Sequence, residues 1–136
     1  MIGSVHDIPG AHVDSVIVRA HAAATATEVA VIWRAPFAAK IRKVEVIPDA
    51  AATGDDTNRT NLNLLDGGTA GTGTTELGNI DYATGTDAAA GVAQDLYAPA
   101  SYDAVDAGTI LKLQYEKVGS GLAVGPFLVL ITYEAA

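Results

Sequence analysis

The feature that most constrains the fold is a series of eight short runs of β-branched, aliphatic and aromatic residues, separated by Gly, Pro, Asp and Asn. Runs of this length and composition are typical of β-strands. The Ala-rich segments between them carry no apolar stripe at the helical period of about 3.6 residues. The runs cover residues 13–20, 27–33, 40–47, 60–65, 76–82, 92–97, 109–118 and 126–134. The sequence therefore predicts an all-β chain.

The run at 109–118 indicates how such strands are packed. Leu111, Leu113 and Tyr115 alternate with charged or amide residues, as in a strand with one face in a core and one in water. Many short strands without intervening helices favour a sandwich or a barrel. We expect an antiparallel β-sandwich, jelly-roll-like with about eight strands, and an immunoglobulin-like sandwich as second choice. The chain of 136 residues without Cys has room for a single domain, which we place at 13–136.

The last run, 126–134, is apolar on both of its alternating faces. Such a strand is covered on both sides, either by its own domain or by another subunit. In a chain this small, we expect more apolar surface than one core can cover, and hence a homo-oligomer. The predicted oligomer contact consists of Phe127, Val129, Ile131 and Tyr133.

The first twelve residues show no alternation and contain Gly3, Pro9 and Gly10. We interpret 1–12 as an N-terminal arm that orders on a partner, with a frayed terminus as the alternative. The segment lacks the basic residues followed by a long apolar stretch that are typical of a signal peptide. No run in the chain approaches the ~18 apolar residues of a membrane span. The sequence predicts a soluble protein with no membrane partner.

The stretch "TGDDTNRTNLNLLDGGTAGTGTT" at 53–75 could be a metal site, a phosphate cradle or two loops around a strand. Asp55, Asp56 and Asn58 offer oxygen ligands, but the run departs from a Ca²⁺-loop pattern after Asn58. The Gly-rich half lacks the Lys of a phosphate-binding loop. We interpret the stretch as two turn-forming loops flanking a strand that buries Leu62 and Leu64.

Candidate catalytic and metal-ligating residues are sparse. His6, His12 and His21 lack the rigid spacing of a zinc site, and we expect them to be solvated. The four serines lack a nucleophile-elbow context. The predictions are that the protein is not an enzyme, and that it binds no metal and no cofactor.

The formal net charge of −8 argues against nucleic acid as a partner, because such binding depends on Lys and Arg neutralising phosphates. Most acids lie between residues 44 and 111, where Arg59 is the single base. Four of the eight bases lie just before this region, between residues 34 and 43, namely Arg34, Lys40, Arg42 and Lys43. We interpret the acids as a solvated rim and the four bases as a possible electrostatic contact.

Several motifs in order resemble a family of small virion proteins of tailed phages and prophages, including capsid decoration (cement) proteins. The motifs are "VIWRAPFAAKI", "PDAAATGDDTN", "GTTE" and "VGSGL". They fall between residues 31 and 133, and the first dozen residues lie outside the resemblance.

The resemblance implies a virion structural protein on the outer capsid surface, often trimeric, with the major capsid protein as partner. The alternative in another class is a receptor- or carbohydrate-binding module of a tail or fibre. On the decoration hypothesis, the arm and the four bases contact the shell. The predicted contacts are Ile2, Val5, His6, Ile8, Pro9, Arg34, Lys40, Arg42 and Lys43.

Overall fold

The computed structural model describes residues 10–136, which form nine β-strands and no helix. The strands are β1 (His12–Val18), β2 (Glu28–Arg34), β3 (Ala39–Pro48), β4 (Arg59–Asp66), β5 (Thr75–Asp81), β6 (Gln94–Tyr97), β7 (Asp103–Val105), β8 (Ile110–Val118) and β9 (Phe127–Ala135). Each of the eight predicted runs overlaps one strand. The unpredicted strand, β7, has three residues, too few to show an alternation. Within this part of the chain there is consequently no helix that could cross a membrane.

The strands form two antiparallel sheets that face each other. One has the order β1-β9-β3-β6, with β7 also paired to β3, and the other has the order β2-β8-β4-β5. The first four strands alternate between the sheets, so each connection crosses from one layer to the other. With β7 set aside, the order is that of a jelly roll. The predicted antiparallel β-sandwich is confirmed.

The core lies between the sheets and is built from the inward positions of the long central strands. Leu111, Leu113 and Tyr115 of β8 are buried, as their alternation predicts, and so are Leu62 and Leu64 of β4. Burying an aliphatic or aromatic side chain of this size contributes roughly 1.5–3 kcal/mol. The central strands therefore supply most of the apolar burial.

The structure corrects the predicted oligomer contact. Phe127, Val129, Ile131 and Tyr133 of β9 are at most 5% exposed and fill the core opposite β8. Their own domain covers them, because β9 is a central strand between β1 and β3. The other face of β9, with the half-buried Leu128 and Leu130, points outward. The apolar face that a partner could reach is thus the one opposite to the predicted contact.

An aromatic cluster joins the two sheets at one end of the sandwich. The Trp33 ring of β2 lies 5.0 Å from that of Tyr133 on β9, and the His12 ring of β1 stacks on Tyr133 at 5.4 Å. The Trp33 indole N–H donates to Asp14 Oδ2 at 2.8 Å. Because a buried indole N–H needs an acceptor, Asp14 fixes the position of β1 against β2. His12, which the sequence assigned to the arm, is the first residue of β1.

We predict a loss of stability in alkali. Burial, and then the hydrogen bond to Asp14, raise the pKa of Tyr133 to about 12, and burial also raises the pKa of Tyr82 and Tyr115. An unfolded tyrosine ionises near pH ~10. A pKa raised by folding gives stability that is present below that pH and is lost as the pH rises toward 12. Urea unfolding at several pH values between 9 and 12 measures the loss.

Tyr133→Phe should flatten this alkaline decline, with Tyr102→Phe at an exposed position as the matched control. A decline of unchanged steepness in Tyr133→Phe would contradict the assignment.

Candidate interaction surface

The loop before β4 uses its acids to hold the backbone. The backbone N–H groups of Thr57 and Asn58 both donate to Asp55 Oδ1 at 2.7 Å. These hydrogen bonds, first that from Asn58 and then that from Thr57, lower the pKa of the Asp55 carboxyl because they favour its charged form. Asp55 therefore closes a turn, as Asp commonly does.

Neighbouring loops are tied together in the same way. Asp56 Oδ1 accepts from the N–H of Thr84 at 2.9 Å, and Asp87 Oδ1 accepts from the N–H of Gly54 at 2.8 Å. Gly54 is required by space, since a Cβ there would lie 1.9 Å from the carbonyl oxygen of Ala83. The carboxylates thus act as acceptors for backbone donors of adjoining loops.

The interpretation of 53–75 as two loops flanking a strand is confirmed, since β4 lies between them. Among residues 10–136, no group of three or more His, Asp or Glu is placed to hold a metal ion.

His21 differs from the expectation of solvated histidines. It is buried, its ring stacks on Tyr115 at 5.1 Å, and Nδ1 lies 2.8 Å from Glu28 Oε1. The hydrogen bonds to His21 and then to Arg19 lower the pKa of Glu28. His21 therefore anchors the β1–β2 connection to the core. No local sequence pattern predicts this role.

The four predicted basic contacts do not form one patch. Arg34 ends β2 in one sheet, whereas Lys40, Arg42 and Lys43 lie on β3 in the other. A register shift between β3 and β9 at 41–43 leaves both Arg42 and Lys43 partly exposed. This separation corrects the expectation of a single basic contact that includes Arg34.

Two of the β3 bases are partly neutralised by neighbours. Lys43 Nζ lies 3.3 Å from Glu45 and 3.5 Å from Asp95, and its pKa is raised, mainly by the hydrogen bond to Glu45. The Arg42 guanidinium lies 4.0 Å from Glu134 Oε2, and it also lies over the Tyr102 ring at 5.1 Å. Lys40 is exposed at the start of the same strand. The predicted contacts Ile2, Val5, His6, Ile8 and Pro9 lie outside the described residues.

The main exposed apolar surface lies on the strands at one edge of the sandwich. We call the four residues Val13, Ile17, Val29 and Val31 the edge patch; they are 60%, 76%, 50% and 64% exposed. The first two belong to β1 and the others to β2, the edge strands of the two sheets on that side. Ile17, Val29 and Val31 line one cleft between β1 and β2, and an exposed apolar surface of this kind often marks a protein contact.

A groove extends this surface across the outer face of β9 and β3. It has a volume of about 350 Å³, and Ile17, Ile47, Pro126 and Leu128 are among its lining residues. Ile17 and Ile47 are both cross-strand partners of Leu128, which explains why their side chains lie in one row. The groove and the edge patch share Ile17 and are continuous.

Comparisons with known proteins locate a fold relative. No family model matches the chain, and no curated protein sequence matches it. A solved structure with a similar fold belongs to the cyanophage Pam1 capsid asymmetric unit. The match has a TM-score of 0.56 and 19% sequence identity, and it covers all of this chain and 93% of that chain. The whole chain is thus similar in fold to a component of a phage capsid structure.

We predict that Asp55→Ala destabilises the domain through its loops. The variant leaves the N–H groups of Thr57 and Asn58 without their acceptor, and the melting temperature should fall by about 3–8 °C. Because the pKa of Asp55 is lowered by folding, the wild-type advantage should be present above pH ~4 and shrink as the pH falls below it. Calorimetry at pH 7 and pH 3 measures both.

Asp106→Ala, another exposed loop acid, is the control. Equal melting of the two variants at pH 7 would contradict the role given to Asp55.

Proposed function

We propose that this protein is a phage capsid decoration protein that binds the major capsid protein on the outer surface of the head and stabilises the shell. The observation that carries the proposal is the fold similarity, over the whole chain, to a component of the cyanophage Pam1 capsid asymmetric unit. The motifs that resemble phage virion proteins support the same assignment. The proposed role is structural, without catalysis.

The outer face of the β1-β9-β3-β6 sheet is the proposed contact with the shell. It combines the apolar groove around Leu128 with the exposed Lys40. Apolar burial would supply affinity and the Lys40 charge would select an acidic shell surface. The loops that are held by hydrogen bonds to Asp55, Asp56 and Asp87 suit this role, since a rigid domain loses little conformational entropy on binding.

A decoration protein stabilises a shell by mass action. A ligand that binds only the assembled shell stabilises that shell. The added stability grows with the logarithm of the ratio between the ligand concentration and its dissociation constant. We propose that the protein acts as a homo-oligomer, and the sequence resemblance implies a trimer, because several linked contacts raise the effective affinity of each.

A receptor- or carbohydrate-binding module of a tail or fibre is the second candidate. One surface feature favours it, the partly exposed Tyr102 ring with Arg42 stacked over it at 5.1 Å. Aromatic rings at the surface are used for contacts with ligands of many kinds. On this hypothesis, a glycan should bind the isolated protein, and Tyr102→Ala should abolish the binding.

The proposal predicts saturable binding to capsid shells that lack the protein, and a higher melting temperature of the decorated shells. Lys40→Glu should weaken binding by about tenfold, and the wild-type affinity should fall with added salt. Lys117→Glu, the same charge change on β8 of the other sheet, is the matched control. Co-sedimentation with the shells measures the affinities.

Absence of binding to the shells together with glycan binding would replace the first candidate by the second. Equal weakening by the two Lys variants would contradict the assigned face while leaving the decoration role in place.

A further inference from the structure

The two edges of the sandwich are built differently. At one edge, β5 and β6 approach so closely that a Cβ on Gly78 would lie 2.3 Å from the carbonyl oxygen of Leu96. At the other edge, β1 pairs only with β9 and β2 only with β8 among the described strands. The sheets are therefore closed at the β5/β6 edge and open at the β1/β2 edge.

The open edge carries only part of the usual protection against pairing: β2 has a bulge between Val31 and Trp33, but neither β1 nor β2 contains Lys or Pro. Edge strands are commonly shielded by Lys, Pro, bulges or short length. Here β1 and β2 are seven residues long, and their outward positions carry the edge patch. A cleft of about 410 Å³ lies between them, with Val16, Val18 and Ala30 among its lining residues. On their outer edges, β1 and β2 have no strand partner among residues 10–136, and they expose an apolar surface, as in sites that accept an added strand.

The chain itself supplies a segment of matching length and composition. Residues 1–8 lie just before Pro9 and Gly10, ahead of β1, and contain Ile2, Val5 and Ile8. Eight extended residues reach roughly 26–29 Å, whereas a strand of seven residues is about 23 Å long. An extended strand presents Ile2 and Ile8 on one face and Val5 on the other. One face can therefore cover the edge patch while Val5 enters the cleft.

The residues at the junction disfavour pairing of this segment with its own β1. A tight two-residue hairpin uses turn types with positive φ at the first central position. Pro9 would occupy that position, and the proline ring holds φ near −65°. Gly10, with φ 103°, supplies a positive φ only at the second position. A second copy offers the same open edge without requiring this turn.

We propose that residues 1–8 of one copy pair as an added strand with the open β1/β2 edge of a second copy and cover its edge patch. The inference rests on the proposed homo-oligomer and gives it a contact. If each copy places its segment on the next copy, the copies form a closed ring when the rotation from one copy to the next closes.

The test compares the full chain with a chain that begins at Pro9. Hydrogen exchange is measured on the β1 amides that point to the open edge, at low and high protein concentration and on decorated shells. The full chain should associate in sedimentation experiments and protect these amides. In the shortened chain, they should exchange at least about tenfold faster, with the β9 amides unchanged.

Two point variants keep the test independent of the deletion. Val5→Asp places a charge in the segment and should have the same effect as the deletion. Val92→Asp places the same charge at an exposed site outside the open edge and should have none.

Edge amides that exchange equally fast in the full and shortened chains, under all conditions, would overturn the proposal. Protection that is independent of concentration in a monomer would overturn it too, because the segment would then pair with its own β1. Shell binding without edge protection removes this contact and leaves the decoration role. Edge protection without shell binding supports this contact between copies and removes the decoration role.

Discussion

The structure depends on the burial of β9 at the centre of the first sheet. Its hydrogen bonds hold β1 on one side and β3 on the other, and its inward side chains fill the core. Near one end of β9, the ring centroids of Phe127 and Tyr115 are 6.2 Å apart. Near the other end, the ring centroids of Tyr133 and Trp33 are 5.0 Å apart. Because β9 pairs with strands that are distant in sequence, this sheet depends on long-range contacts.

The acidic composition is explained by loop architecture. Asp55, Asp56 and Asp87 accept hydrogen bonds from backbone donors of their own or neighbouring loops. A loop without regular structure must satisfy its backbone donors by such means or with water. The acids at these positions make the surface negative and also hold the loops in place. Part of the negative charge is therefore a consequence of how the loops are held.

The open edge and the groove give the molecule a distinct apolar side. The β5/β6 edge is closed by close backbone packing, whereas the β1/β2 edge exposes Ile17 and Val31. Ile17 also lines the groove on the outer face of the first sheet, so one residue joins the proposed contact between copies to the proposed contact with a shell. The two proposed contacts are therefore adjacent.

The sequence by itself determined the fold class and every strand except β7, because a period of two residues in short runs is a local property of the chain. The alternation of Leu111, Leu113 and Tyr115 identified the buried face of β8, and the turn residues around 60–65 identified two loops. Tertiary structure alone decided which face of β9 is inside, since both faces are apolar and the choice depends on β1 and β3. It also decided the burial of His21 and the exposure of Ile17, because both depend on strands that are distant in sequence.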